Sequence, residues 1–86
     1  MAKYQTKINK RAEKALRNIP VKDVQVIRKK VRALADDPRP NGCKKLIGEN
    51  NLYRIRAGNY RILYTIEDDI LVIVVISIGN RKDIYR

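Results

Sequence analysis

The chain has 86 residues and a formal net charge of +11, from 20 lysine and arginine side chains against 9 acidic ones. A chain of this length forms one domain, so residues 1–86 are treated as a single unit. Its charge exceeds what solubility requires and indicates a polyanion or an acidic protein as partner. The longest apolar run, residues 70–78, is too short to span a membrane, and no signal-peptide apolar region is present. We therefore expect a cytoplasmic protein with no membrane role.

Strand and helix patterns fill the first part of the chain. Residues 4–8 predict a short strand, and Asn9 is a suitable N-cap for a helix over residues 10–18. Pro20 interrupts this helix, and a longer one is predicted over residues 21–36. The residues predicted to face inward are Ala12, Ala15, Leu16 and Ile19 on the first helix, and Val24, Ile27, Val31 and Leu34 on the second. Basic side chains are concentrated here, because residues 1–35 hold eleven lysines and arginines and two acids.

Prolines and a glycine in residues 37–42 end the second helix and form a loop, after which residues 45–47 predict a short strand. The apolar run at residues 70–78 is typical of a strand covered on both faces and central in a sheet. The tail, residues 79–86, leaves that strand at Gly79 and has room for one helical turn.

The most informative segment is residues 52–64, LYRIRAGNYRILY, in which polar and apolar side chains alternate. Gly58 and Asn59 predict the two-residue loop of a β-hairpin. The predicted cross-strand pairs are Ala57 with Tyr60, Arg56 with Arg61, and Ile55 with Ile62. Alternation then places Arg54, Arg56 and Arg61 on one face, and the apolar residues and the tyrosines Tyr53, Tyr60 and Tyr64 on the other.

Like charges facing each other across a β-ladder are destabilising by up to about 1 kcal/mol. The arginine face is therefore interpreted as a surface that holds an anion, the alternative being that these side chains are merely solvated. The order of strand, two helices and three or four further strands predicts an α+β fold. We expect two N-terminal helices packed on one face of a small, mainly antiparallel sheet of four or five strands, with the arginine face left open.

Neither a metal nor a cofactor is expected. Cys43 is the only cysteine and the chain has no histidine, so no internal disulfide is possible and the usual zinc ligands are missing. Cys43 is interpreted as functionally silent. The lack of histidine also removes the side chain best suited to proton transfer near neutral pH.

Taken together, these motifs resemble the RelE/ParE superfamily of toxin–antitoxin toxins, and within it the RelE-type ribosome-dependent mRNA interferases. The resemblance covers nearly the whole chain. It rests on the helical pair, the Asp37-Pro38-Arg39 break, the segment 52–64, the apolar strand and the closing residues 78–86, IGNRKDIYR. It implies a toxin of a type II system that inhibits translation as a metal-independent endoribonuclease, cleaving mRNA in the ribosomal decoding site by attack of the ribose 2′-hydroxyl.

The resemblance also implies roles for particular residues. The catalytic set is Arg61, Arg81 and Tyr85, and Arg54 and Arg56 bind the RNA phosphates. The basic side chains implied to face ribosomal RNA are Lys10, Lys14, Arg17, Arg28, Lys29, Lys30 and Arg32. The implied partner, besides the ribosome and mRNA, is an acidic RelB-like antitoxin that forms a hetero-oligomer with the toxin.

Two departures from the superfamily pattern affect proton transfer. Asn80 stands where many relatives have a histidine, and Arg54 and Arg56 stand where others have lysines. Arginine keeps its proton at any ordinary pH, so neither can accept the proton of a ribose hydroxyl. Tyr85 remains as a base-stacking group or a general base, and Asp83 is a less suitable base.

Two other interpretations fit the sequence. The first is a ParE-like toxin, which shares the fold and inhibits DNA gyrase; retention of Arg61, Arg81 and Tyr85 together argues against it. The second is a small basic nucleic-acid-binding module without catalysis, which agrees with the composition and the missing histidine.

Overall fold

The computed structural model describes residues 3–48 and 51–80. Arg81, Tyr85 and the helical turn predicted for the tail lie outside these residues. In chain order the elements are β1 (Gln5–Ile8), α1 (Lys10–Leu16), α2 (Val21–Leu34), β2 (Lys44–Lys45), β3 (Leu52–Ala57), β4 (Tyr60–Glu67) and β5 (Val72–Asn80). Neither helix is long and apolar enough to cross a membrane, considering the described part of the chain alone.

The strands form one five-stranded sheet in the order β1-β5-β4-β3-β2. Strand β1 runs parallel to β5, and every other neighbouring pair is antiparallel. The β3–β4 hairpin has the predicted register, with Arg56 opposite Arg61 and Ala57 opposite Tyr60. Gly58 adopts a φ of 62°, which a two-residue hairpin loop requires and which glycine adopts without strain.

Both helices pack on the same face of the sheet, so the predicted α+β architecture is confirmed. α1 begins at the predicted cap, where the Asn9 side chain accepts a hydrogen bond of 2.9 Å from the backbone N–H of Ala12. α1 contacts β5, and α2 contacts β1 and β3. The buried core comprises Ala12, Leu16, Ile27, Val31, Leu34, Tyr53, Ile55, Ala57, Ile62, Tyr64, Ile66, Ile73, Val75 and Ile78.

The helices end two residues earlier than the periodicity predicts. After Leu16, the backbone N–H groups of Arg17 and Asn18 bond to carbonyls three residues back instead of four. The N–H groups of Ala35 and Asp36 do the same after α2. Both helices therefore close with a tighter turn that satisfies terminal backbone groups, and apolar periodicity alone does not register this change.

The prediction that the last strand is covered on both faces is wrong. β5 does lie between β1 and β4, but only its inward residues, Ile73, Val75 and Ile78, are buried. Its outward residues Val72 and Val74 are half-buried, because no helix covers that face. Gly79 and Asn80 also continue the strand instead of starting the tail.

A polar cluster secures the loop between α2 and β2. The Arg39 guanidinium forms a salt bridge of 2.9 Å with Asp68 in the β4–β5 turn, and its Nε donates to the Tyr53 hydroxyl at 3.1 Å. The Tyr4 hydroxyl donates to the same carboxylate at 2.6 Å, and the Tyr64 hydroxyl donates to the Pro38 carbonyl at 2.8 Å. Four separate segments of the chain are thus joined at this end of the molecule.

The tyrosines that point inward contribute to the packing of the core. Tyr64 is fully buried and its ring stacks on that of Tyr53, with centroids 5.9 Å apart. Burial raises the pKa of Tyr64 far above its usual value, so its hydroxyl stays protonated. Tyr60 is half-buried against the core. The prediction that these three side chains point inward is confirmed.

We expect Asp68→Asn to weaken folding at neutral pH but not in acid. The hydrogen bond from Arg39, followed by the one from Tyr4, lowers the pKa of Asp68 below its usual 3.8. The pKa of such a carboxyl is lower in the folded protein than in the unfolded chain. Its ionised form therefore stabilises the folded protein at pH values above the unfolded pKa. This stabilisation is lost as the pH falls through the folded pKa. Urea unfolding between pH 2 and 7 tests this: the difference from wild type should shrink below about pH 4. Asp69→Asn, at the exposed neighbour, is the control, and a pH-independent difference would contradict the ionic role.

Candidate functional site

The open face of the sheet carries a basic pocket of about 330 Å³. Its lining residues are Gly42, Lys44, Arg54, Ile55, Arg56 and Arg61. The three arginines that alternation placed on one face are therefore brought together. Arg54 and Arg56 come from β3 and Arg61 from β4. The helices lie on the opposite face, so nothing from α1 or α2 covers the pocket.

The three arginines differ in exposure. Arg56 is exposed, Arg54 is half-buried, and Arg61 retains only 8% of its accessible surface. Arg61 lies on β4, the central strand of the sheet, with Arg56 beside it on one side and Gly79 on the other. Because Gly79 has no side chain, no cross-strand side chain flanks Arg61 on the β5 side. A guanidinium shielded from water attracts an entering anion more strongly than an exposed one.

Lys44 is the pocket residue that the sequence analysis missed. It lies on β2 directly opposite Arg54, so it shares the outer face with the arginines. The predicted strand began one residue later, at position 45, and this shift concealed the pairing. A weak signal was present, because the turn residue Gly42 fixes where the strand begins: its φ of 91° suits glycine, and Cys43 N–H bonds to the Pro40 carbonyl at 3.0 Å.

The cations of the pocket are arranged in two cross-strand pairs. Arg56 and Arg61 face each other across β3 and β4, and Lys44 and Arg54 do so across β2 and β3. Such like-charge pairs repel one another by up to about 1 kcal/mol each, and an anion between them removes the repulsion. Guanidinium groups present planar forks of donors that match two oxygens of a phosphate.

The start of the tail is close to the hairpin end of the sheet. β5 ends at Asn80, which pairs with Tyr60 immediately after the hairpin loop. Arg81 is next in sequence, although it and Tyr85 lie outside the described residues.

A second basic surface lies on the helical side. Two adjoining hollows of about 500 and 220 Å³ share Ile8 of β1, and together we call them the helix-side groove. Its basic lining residues are Lys10, Lys14, Arg17, Arg28 and Arg32. Glu13 also lines it and pairs with Arg28 at 3.5 Å. Lys29 and Lys30 are exposed on α2 but line neither hollow, so the seven basic residues singled out in the sequence do not form one surface.

Comparison with known proteins defines the class. The sequence matches the family described as ParE toxin of type II toxin–antitoxin system over residues 4–85. It is 31% identical over 88 residues to a protein of Escherichia coli named as RelE-like toxin, covering 98% of this chain and 92% of the relative. A protein of Methanocaldococcus jannaschii named as toxin RelE1 is 28% identical over 87 residues, covering 98% and 97%.

Solved structures of RelE toxins have the same fold as this chain. The RelE–RelB complex of Pyrococcus horikoshii OT3 contains a chain that superimposes with a TM-score of 0.83 at 29% identity, covering 94% of this chain and 98% of that one. The isolated RelE toxin of Escherichia coli gives a TM-score of 0.78 at 29% identity, covering 95% and 90%. Fold and basic pocket thus define a small α+β toxin. The chain belongs to the ParE toxin family, within the RelE/ParE superfamily, and is a toxin of a type II toxin–antitoxin system.

Proposed function

We propose that this toxin is a metal-independent endoribonuclease that cleaves mRNA in the ribosomal decoding site. The observation that carries the proposal is the basic pocket on the open face, where Arg54, Arg56 and Arg61 converge with Lys44. Four cationic side chains around a site of this size suit one phosphodiester and its neighbours. The chemistry requires no metal, because the substrate supplies its own nucleophile.

In the proposed reaction the ribose 2′-hydroxyl attacks the adjacent phosphorus and leaves a 2′,3′-cyclic phosphate and a 5′-hydroxyl end. Negative charge builds up on the phosphoryl oxygens. Arg61, shielded from water, and Arg81 from the tail stabilise that charge, and each fixed donor of this kind contributes roughly 3 to 4 kcal/mol. Arg54 and Arg56 hold the flanking phosphates, and Tyr85 stacks on a base or takes up the hydroxyl proton.

The proposed contribution of the ribosome is to align the RNA for attack. Its arginines hold their protons firmly, so most of the acceleration comes from holding the 2′-hydroxyl in line with the phosphate. A decoding site that fixes the mRNA would provide this alignment. The helix-side groove faces away from the pocket and carries five basic side chains that suit ribosomal RNA phosphates. If the toxin acts on translating ribosomes as proposed, its site of action is the cytoplasm.

The proposed partner in the resting state is an antitoxin. The related chains of Pyrococcus horikoshii and Escherichia coli occur in RelE–RelB complexes. A net charge of +11 favours an acidic partner that orders itself on the toxin, giving a hetero-oligomer.

The second candidate is inhibition of DNA gyrase, favoured by the ParE designation of the matched family. Gyrase inhibition does not require clustered phosphate-binding arginines on an open sheet. The pocket therefore favours RNA cleavage over this alternative. A non-catalytic module that binds nucleic acid would use the same cations, so a cleavage assay is needed to separate it from a nuclease.

Primer extension on a translated message separates the three functions. We expect cuts at defined codon positions when toxin is added to translating ribosomes, and none on the same RNA without ribosomes. Free antitoxin added in excess should abolish them. Uncut message together with gyrase poisoning would support the second candidate, and uncut message without gyrase poisoning would support the non-catalytic module.

A further inference from the structure

The basic pocket contains one cation that differs chemically from the others. Arg54, Arg56 and Arg61 carry guanidinium groups, which do not release a proton under ordinary conditions. Lys44 carries an ammonium group, the kind of cation that can transfer a proton. Among the described residues that line the pocket, Lys44 is the one side chain able to transfer a proton.

The position of Lys44 suits a proton donor. β2 is an edge strand, so Lys44 is exposed and water can return a proton to it. Its backbone is fixed by pairing opposite Arg54 and by the Leu46 N–H, which donates to the Leu52 carbonyl at 2.9 Å. Gly42 beside it leaves open space, because a Cβ built there meets no atom within 4 Å.

Lys44 also lies apart from the arginine pair formed by Arg56 and Arg61. Arg54, its cross-strand partner, lies two residues along β3 from Arg56, which is about 7 Å of strand. Arg61 lies one strand further across the sheet, yet Lys44, Arg56 and Arg61 all line the same pocket. A phosphate held by the arginine pair would therefore have a proton donor on the side of the pocket that β2 forms.

We propose that Lys44 is the general acid of the cleavage reaction, giving a proton to the 5′-oxygen that leaves. This assignment rests on the proposed endoribonuclease function. As the bond from the 2′-oxygen to phosphorus forms, the bond from phosphorus to the 5′-oxygen breaks and its electron pair stays on that oxygen. The 5′-oxygen takes a proton from Lys44 Nζ. The 2′-hydroxyl proton passes to water, directly or through Tyr85, and water restores the proton of the lysine.

A message with sulfur in place of the leaving 5′-oxygen tests the role directly. A thiolate leaves without being protonated, because a thiol is far more acidic than an alcohol. On ribosomes programmed with the natural linkage, Lys44→Ala should cleave about a hundredfold more slowly than wild type. On the sulfur linkage the two proteins should differ by less than about threefold, because no acid is needed.

Two further variants separate proton donation from charge. Lys44→Arg keeps the charge and loses the transferable proton, so it should remain as slow as Lys44→Ala on the natural linkage. Lys45→Ala removes the neighbouring lysine, which lies opposite Tyr53 and so faces away from the pocket, and should match wild type. Antitoxin binding by each variant verifies folding.

The outcomes are distinct. Recovery by Lys44→Arg, or an equal defect of Lys44→Ala on both linkages, would show that Lys44 contributes charge only and would overturn the assignment. A wild-type protein that cleaves neither linkage would overturn the proposed nuclease function, and this assignment with it.

Discussion

Arg61→Ala should lower the proposed ribosome-dependent mRNA cleavage by at least about a hundredfold, while the complex with the antitoxin persists. The magnitude follows from the site, because a fixed donor that meets developing charge in a water-poor environment contributes about 3 to 4 kcal/mol to the transition state. Arg61 lies in such a water-poor environment, because only 8% of its surface is accessible to solvent. Single-turnover cleavage of a programmed ribosome complex measures the effect on the chemical step without a contribution from product release.

Because Arg61 is buried, a loss of activity has to be separated from a loss of folding. Arg61→Met keeps most of the apolar stem and removes the charge, so it should fold like wild type and be as slow as Arg61→Ala. Arg61→Lys keeps the charge without the planar fork and should recover only part of the rate. Arg11→Ala, an exposed arginine on α1, is the matched control. A loss below about threefold in both Arg61→Ala and Arg81→Ala would remove the proposed roles of these arginines.

The hairpin shows what sequence patterns predict reliably. A two-residue loop fixes the register of the strands that flank it, and a period of two then assigns every side chain to a face. Both steps use only neighbouring residues. This is why the pairing of Arg56 with Arg61 and the shared face of the three arginines were predictable from the sequence alone.

The partners of the remaining strands depended on tertiary contacts. β2 has two residues, both lysines, and no apolar alternation, so its register is set by pairing with β3 and not by its own sequence. Lys44 was missed for this reason. The burial of Arg61 was equally hidden, because alternation assigns a side chain to a face of the sheet and does not say how deeply it is buried there.

The composition of β5 led to a wrong prediction of its burial. Its unbroken apolar run predicted cover on both faces, yet helices occupy one face only. The pairing of β4 with β5 contains a β-bulge. Leu63 and Tyr64 are neighbours in β4, but their partners in β5 are separated by one extra residue. Beyond this bulge Ile78 still faces the core, while Gly79 is opposite Arg61 on the open face. The irregularity thus brings the residue without a side chain next to the buried arginine.

The two basic surfaces share no lining residue. The basic pocket is lined by β2, β3, β4 and the loop before β2, whereas the helix-side groove is lined by β1 and by the residues of the two helices. In the proposed function the pocket holds the scissile phosphate and the groove binds ribosomal RNA. Changes in the pocket should therefore act on the rate of the chemical step. Changes in the groove should act on binding of the ribosome.

Replacing Lys14, Arg17 and Arg32 with glutamine should raise the KM for ribosomes at least tenfold and leave kcat within about twofold of wild type. Each lost phosphate contact also reduces the dependence of log KM on log salt, by about 0.7 to 0.9. The slope should then fall by about 2 to 3 for this triple variant. Arg28 is left in place because it pairs with Glu13 at 3.5 Å.

The matched control removes the same amount of charge from elsewhere. Arg11, Lys22 and Lys45 are exposed and line neither the groove nor the pocket, so their replacement by glutamine keeps the net charge equal to that of the test variant. Its KM should change by less than about threefold, because diffuse surface charges are largely screened at physiological salt. Equal losses in both triple variants would mean that net charge alone drives ribosome binding. A loss of kcat in the groove variant would mean that the two faces are not independent.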